Sequence, residues 1–163
     1  MPDVLPTSAR GAMVCAAVSN AEEEHAHHLI RRTVFVEEQH LFASDDRDGH
    51  DDASSTIKVL GRYDGEPAGT VRLYPLDDDG RWQGDRLAVL PAFRRHGLGI
   101  PLVNLAVATA GALGGQEMSA HIQVANVAFF LGLGWRCNGP EEIYVGVPHR
   151  PMVIALQPPS SGY

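Results

Sequence analysis

The sequence predicts a mixed α/β protein, a mostly antiparallel twisted sheet flanked by helices. Three observations carry this. Segments with strand-like and helix-like apolar spacing follow one another in the order β-α-β-β-β-α-β-α-β-β. Asp64-Gly65 and Asp77-Asp-Asp-Gly80 are turn signals between three consecutive strand-like segments, which makes an antiparallel meander. A glycine-rich turn after the third opens a helix, and strand-helix-strand is the connection that parallel neighbours need.

The first strand is expected over residues 13–18, a short apolar run. Ser19 or Asn20 can cap the helix that follows, and Glu22, Glu23 and Glu24 fall in its first turn, where the dipole favours carboxylates. Ala26, Leu29, Ile30 and Val34 recur at helical spacing and carry this helix to about Glu38. Residues 39–55 are polar and acidic without a period, and read as a long loop or an irregular second helix of functional use. Strands are expected over 56–63, 68–76 and 81–90, the last ended by Pro91. The central helix runs from about Gly97 to Leu113, with Pro101 in a first turn that tolerates it. A strand over 118–124, a short helix over 125–133 and a left-handed stop at Gly134 follow. Two final strands, 143–147 and 152–156, are joined through residues 148–151. One domain over 11–157 is expected, with loose tails at 1–10 and 158–163.

With 163 residues, 44% hydrophobic and 20% charged, the chain can bury a core of its own. A formal net charge of −7 argues against a nucleic-acid partner, because duplex binding runs on phosphate neutralisation. No stretch is long and apolar enough for a membrane span, and residues 1–10 lack the apolar run of a signal peptide, so a cytoplasmic location is expected. Cys15 and Cys137 are expected to be buried free thiols. The acidic run over 45–52 lacks a calcium loop's twelfth-position glutamate and reads as a negative rim for a cationic guest. His25, His27 and His28 read as a solvated helix surface, Trp82 and Trp135 as packing residues, and Arg72 as half of a surface pair. No metal is expected.

The segment with chemical content is Arg94-Arg-His-Gly-Leu-Gly99, between a strand and a helix start. Its glycines let a ligand approach the backbone, and helix-start N–H groups with the dipole behind them suit a diphosphate. Arg94 and Arg95 add cationic donors. Neither the dinucleotide fingerprint nor the Gly-Lys-Ser/Thr nucleotide loop fits.

This segment, after Leu87-Ala-Val89, resembles the acyl-CoA pyrophosphate loop of the GNAT superfamily of N-acetyltransferases, Gln/Arg-x-x-Gly-x-Gly/Ala after a bulged strand. Gln123-Val-Ala-Asn-Val-Ala-Phe-Phe130, leading to Gly134-Trp135, is similar to the family's Asn-x-x-Ala-x-x-x-Tyr-x-x-x-Gly-Phe. Further blocks, including Gly69-Thr-Val-Arg-Leu73 and Gly146-Val-Pro-His149, resemble the bacterial branch associated with nitrogen starvation.

The resemblance implies the GNAT acyl-CoA N-acyltransferase fold and an enzyme moving an acetyl group from acetyl-CoA to a primary amine of a small molecule or peptide. It implies that Leu87, Ala88 and Val89 pair with the pantetheine arm, and that Arg95, His96, Gly97, Leu98, Gly99 and Ile100 hold the pyrophosphate, flanked by Arg94. Gln123 and Asn126 are expected to touch the CoA. The family's proton-donating tyrosine falls on Phe130, which cannot donate. Where some members carry a basic glutamate this chain has Gln83, which leaves Asp85, Glu38 and His121 as candidate general bases. Phe130 and the missing glutamate motivate a rival, a silent acyl-CoA-binding or sensing module; a second rival is an acyl-homoserine-lactone synthase. The acceptor and the oligomeric state, a homodimer included, stay open.

Overall fold

The computed structural model describes residues 11–158. The tails expected at 1–10 and 158–163 lie outside these residues, but for Pro158. Eight strands form one sheet: β1 (Met13–Ala17), β2 (Ile57–Tyr63), β3 (Glu66–Pro75), β4 (Arg81–Val89), β5 (Glu117–Gln123), β6 (Arg136–Cys137), β7 (Glu142–Tyr144) and β8 (Val147–Ala155). Their order is β1-β2-β3-β4-β5-β8-β6, with β7 also paired to β8. Every pairing is antiparallel except β4 with β5, the crossover expected around the central helix.

Side chains alternate across the sheet, so neighbouring residues feed different cores. Val59, Val71, Leu98, Leu102, Ala106, Met118, Phe130 and Trp135 belong to the larger core, on the face covered by α2 (Gly99–Ala112). Leu60 and Ala88 join Ile30, Val34 and Phe35 in the smaller one, under α1 (Ala21–Arg31). α2 lies close because β3 carries Gly69, where a Cβ would come within 2.9 Å of both a Leu102 methyl and the Ala88 carbonyl.

The helix expected to end near Glu38 does so, but only α1 is regular. Its N-cap is Asn20, whose side chain accepts from the Glu23 N–H. From Arg32 to Glu38 the chain widens into a π-helix, closed by the Gln39 N–H on the Val34 carbonyl at 2.9 Å. The wide turn buries Val34, Phe35 and Val36 consecutively, a π feature of the kind often found beside functional sites.

The last hairpin departs from expectation. β7 and β8 are joined at Val145 and Gly146, and β8 runs through Pro148 and Pro151, which were expected to form the connection. Both turn residues have positive φ, +53° and +74°, the geometry that matches a hairpin's twist. Proline's φ is compatible with extended chain, so it removes a ladder donor without ending the strand. β6 was not expected, because two residues carry no readable period. α3 (Val127–Gly132) is shorter than expected and follows a 3₁₀ turn. Cys15 is half-buried and Cys137 is exposed, so the expectation of two buried thiols fails.

Residues 39–55 hold one 3₁₀ turn, Gly49–Asp52, capped by Asp48. They are not a free negative rim. Two buried arginines and the half-buried Arg86 pair with Asp46, Asp48 and Asp51. Arg31 donates to Asp46 at 2.7 Å and to Asp51 at 2.7 and 3.0 Å. Arg72 binds Asp48 at 2.6 and 3.0 Å and Asp85 at 2.7 and 2.6 Å, and Arg86 reaches Asp46 at 3.0 Å. Arg31 and Arg72 are wholly buried, so Arg72 is no surface residue. Burial pushes the Asp48 and Asp51 carboxyls up, but hydrogen bonds from Arg72 and Arg31 respectively outweigh it and hold both low.

His27 and His28 are likewise buried, not solvated. His27 donates from Nδ1 to the Val59 carbonyl at 2.9 Å, so its Nε2 accepts from Arg31 at 3.2 Å and the ring is neutral. Burial, then the Arg31 charge, lowers the pKa of His27 to about 3 and of His28 to about 4. In the unfolded chain both rings protonate near pH 6.5. The unfolded state thus binds more protons below that pH, and stability falls as pH falls from about 6.5 toward 4. Each ring contributes up to about 1.4 kcal/mol per pH unit. Urea denaturation at pH 7.5, 6 and 5 checks this: a flat profile over that range contradicts neutral burial of the pair.

Candidate active site

The site begins with a fork. β4 and β5 pair only from Arg81 to Gln83 against Glu117 to Ser119, and beyond that point they separate. On the other side of β4 the register shifts: Thr70 faces Ala88 and Arg72 faces Asp85, so Arg86 and Leu87 oppose Val71 alone. This is a β-bulge, and Arg86 takes the left-handed φ of +53° that such a bulge needs. Thr70 donates to the Arg86 carbonyl at 2.9 Å, and the Arg86 guanidinium anchors on Asp46 and Asp48. Tying a strained, non-glycine bulge to a buried ion network is a way of holding it.

The fork opens a cleft of about 880 Å³, open mouth included. Gly84, Asp85, Arg86 and Leu87 line one side, and Ala120, His121, Ile122 and Gln123 the other. At its rim β4 runs through the 3₁₀ turn Pro91–His96 to Gly97, at φ +77°, and then into α2. The helix therefore starts two residues later than expected. No side chain caps its N-terminus; the Ile100 N–H already donates to the Gly97 carbonyl at 3.1 Å and Pro101 has none, so the Gly99 N–H is the first-turn donor left for a ligand.

Among the expected bases, Asp85 is gripped at both oxygens by Arg72 and is not a free acceptor. Glu38 forms a bidentate ion pair with Arg94, whose hydrogen bond holds the carboxyl below its usual range, and Arg94 Nε also donates to the Val89 carbonyl at 2.9 Å. Arg94 is thus occupied by Glu38, beside the loop it was expected to serve. His121 is different. It lines the cleft, its Nδ1 donates to Glu142 Oε1 at 2.8 Å, and its ring lies flat on Tyr144 at 4.7 Å and 5°. With the proton fixed on Nδ1, the Nε2 lone pair is the available base.

Phe130 lies 5% exposed in the cleft wall, edge-to-face with Trp135 at 5.3 Å. Its ring belongs to the larger core with Trp82 and Trp135 and also faces the cleft. Gln123 Nε2 donates to Gln39 Oε1 at 3.1 Å, and Asn126 lines the cleft. Sequence reasoning missed Glu142, Tyr144 and the structural weight of Arg86; only the Gly146-Val-Pro-His149 block pointed near the first two. Among the described residues no group of three or more His, Cys, Asp or Glu side chains could hold a metal ion.

The acetyltransferase (GNAT) family profile matches residues 21–135. The chain is 31% identical over 144 residues to the uncharacterized N-acetyltransferase YjcF of Bacillus subtilis, covering 86% of this chain and 99% of that one. A crystal structure of a proposed N-acetyltransferase from Lactobacillus plantarum superposes with a TM-score of 0.79 at 25% identity, over 89% and 99% of the two chains. An acyl-CoA N-acyltransferase from Pseudomonas aeruginosa shares the fold, with a TM-score of 0.74 at 23% identity over 88% and 98%.

Proposed function

The chain belongs to the acetyltransferase (GNAT) family, and from that premise we propose that it transfers an acetyl group from acetyl-CoA to a primary amine by direct attack in a ternary complex. One observation carries the reading: the forked β4/β5 edge leads straight to an uncapped helix start behind a left-handed glycine. That combination suits a donor with an amide-bearing arm and a diphosphate. The β4 backbone at Leu87, Ala88 and Val89 faces the gap and binds the pantetheine arm strand-fashion. The amides of Arg95, His96, Gly97, Leu98, Gly99 and Ile100 hold the pyrophosphate, and Gln123 and Asn126 touch the donor from the β5 side.

His121 accepts the ammonium proton of the acceptor at Nε2, directly or through water, and Glu142 steadies the resulting imidazolium. The amine nitrogen bonds to the acyl carbon, the carbon–sulfur bond breaks, and the nitrogen gives up its second proton to water as the amide forms. A backbone N–H of the bulged strand near Val89 stabilises the developing oxyanion. Phe130 has no proton to give, so water at the open mouth protonates the thiolate, which a thiol pKa near 8.5 makes favourable at neutral pH. The protein's contribution is mostly positioning.

Gly97→Val tests the donor site. A β-branched side chain at φ +77° is strained by roughly 1–2 kcal/mol, so the variant still folds with a lower melting temperature. Wild-type protein at a CoA concentration of about 100 Kd gains about 2.7 kcal/mol, a shift of roughly 5–10 °C. The variant should show none. A folded variant that keeps the full shift removes the loop from the account.

A further inference from the structure

The cleft does not end at the fork. It passes through the sheet and joins the two cores: Phe35 and Leu41 line it on the α1 face, and Val103 and Ala106 of α2 on the other. Its inner wall is apolar, with Gly84, Ala106 and Ala120 set among larger side chains such as Met118 and Phe130. Gly84 stands where the strands part, and Met118 Sδ already packs 3.0 Å from where its Cβ would be, so the room in the arm comes from elsewhere. Ala106 and Ala120 leave space where larger core side chains would close it.

Protein interiors pack as densely as organic crystals, so an apolar channel entering a core is not the default outcome of folding. The charged groups near it are already engaged: Asp85 by Arg72, and Arg86 by Asp46 and Asp48. A polar guest would lose its hydrogen bonds to water there without replacing them. A hydrocarbon guest loses nothing. An acetyl group has a single methyl to place and leaves the inner wall uncovered.

Resting on the acyltransferase reading above, we propose that this inner arm receives the alkyl chain of acyl-CoA donors longer than acetyl-CoA, so that straight-chain donors such as butyryl- and hexanoyl-CoA bind better than acetyl-CoA. Ala106 and Ala120 set how long a chain enters.

Dissociation constants of acetyl-, butyryl- and hexanoyl-CoA for the intact protein, measured calorimetrically without acceptor, test this. Affinity rises by about fourfold per buried methylene until the arm is filled. Ala106→Leu, which narrows the arm from the helix side, lowers the hexanoyl-to-acetyl affinity ratio at least tenfold, and its melting curve reports folding. Should the variant not fold, the wild-type series still decides. Equal or weaker binding of the longer donors overturns this proposal and leaves the acyltransferase reading standing. Failure of every donor, acetyl-CoA included, to bind overturns both.

Discussion

His121→Gln lowers amine-dependent thiol release from acyl-CoA by about 10²–10⁴-fold, the range expected when a positioned general base is lost. Donor affinity should not change, because His121 is not among the proposed donor contacts, which are backbone amides of β4 and of the loop into α2 together with Gln123 and Asn126. Glu142→Gln is milder. It keeps a hydrogen-bond acceptor for Nδ1 at 2.8 Å but removes the charge that stabilises the imidazolium. Turnover therefore drops, but by less than in H121Q. If H121Q keeps full turnover, base catalysis lies elsewhere, and Glu38 freed from Arg94 becomes the group to test.

Arg72→Met is expected to cost about 3–5 kcal/mol of stability, the usual penalty for breaking one side of a buried ion network. The side chain is wholly buried and makes four charged hydrogen bonds, at 2.6–3.0 Å, to Asp48 and Asp85. Its loss strands two carboxylates and loosens the hold of residues 39–55 on β3 and β4. Because Asp48 also touches Arg86, slack passes directly to the bulge. Urea denaturation reads the stability, and a loss under about 1 kcal/mol would show the network to be solvated and replaceable. Turnover should fall with stability, since the strained left-handed Arg86 shares Asp48 with Arg72.

The parts of this fold that were legible in the sequence are those governed by local chemistry. Asp64-Gly65 takes positive φ at both turn positions, as its residue types demand, and Asn20 caps α1. The glycine spacing of 97 and 99 marked the start of α2. What was not legible depends on long-range partners. At the β7–β8 turn only Gly146 is a turn residue by type; Val145, β-branched at φ +53°, is held there by the pairing of β7 and β8 on either side. The aspartates of residues 45–52 read as a solvent-facing rim because their partners, Arg31, Arg72 and Arg86, lie on three other elements. His27 and His28 share a polar helix with His25, and only the packing of α1 against β2 and β3 shows which rings are buried. His121 was legible as a candidate, but Glu142, twenty-one positions away and met only when β5 and β7 flank β8, was not. The bulge could be expected near Leu87–Val89 from the family pattern, but its pivot at Arg86 emerges only from the register.

The central claim is that an amine attacks an acyl thioester held in the fork between β4 and β5. Free thiol released from acetyl-CoA and from butyryl-CoA, across a panel of primary amines, amino acids and peptides, measures it most directly. The account predicts release above the protein-free rate, dependent on the amine and lost in H121Q. Micromolar binding of both donors with no thiol released by any amine would contradict it, and would leave the chain as an acyl-CoA-binding module.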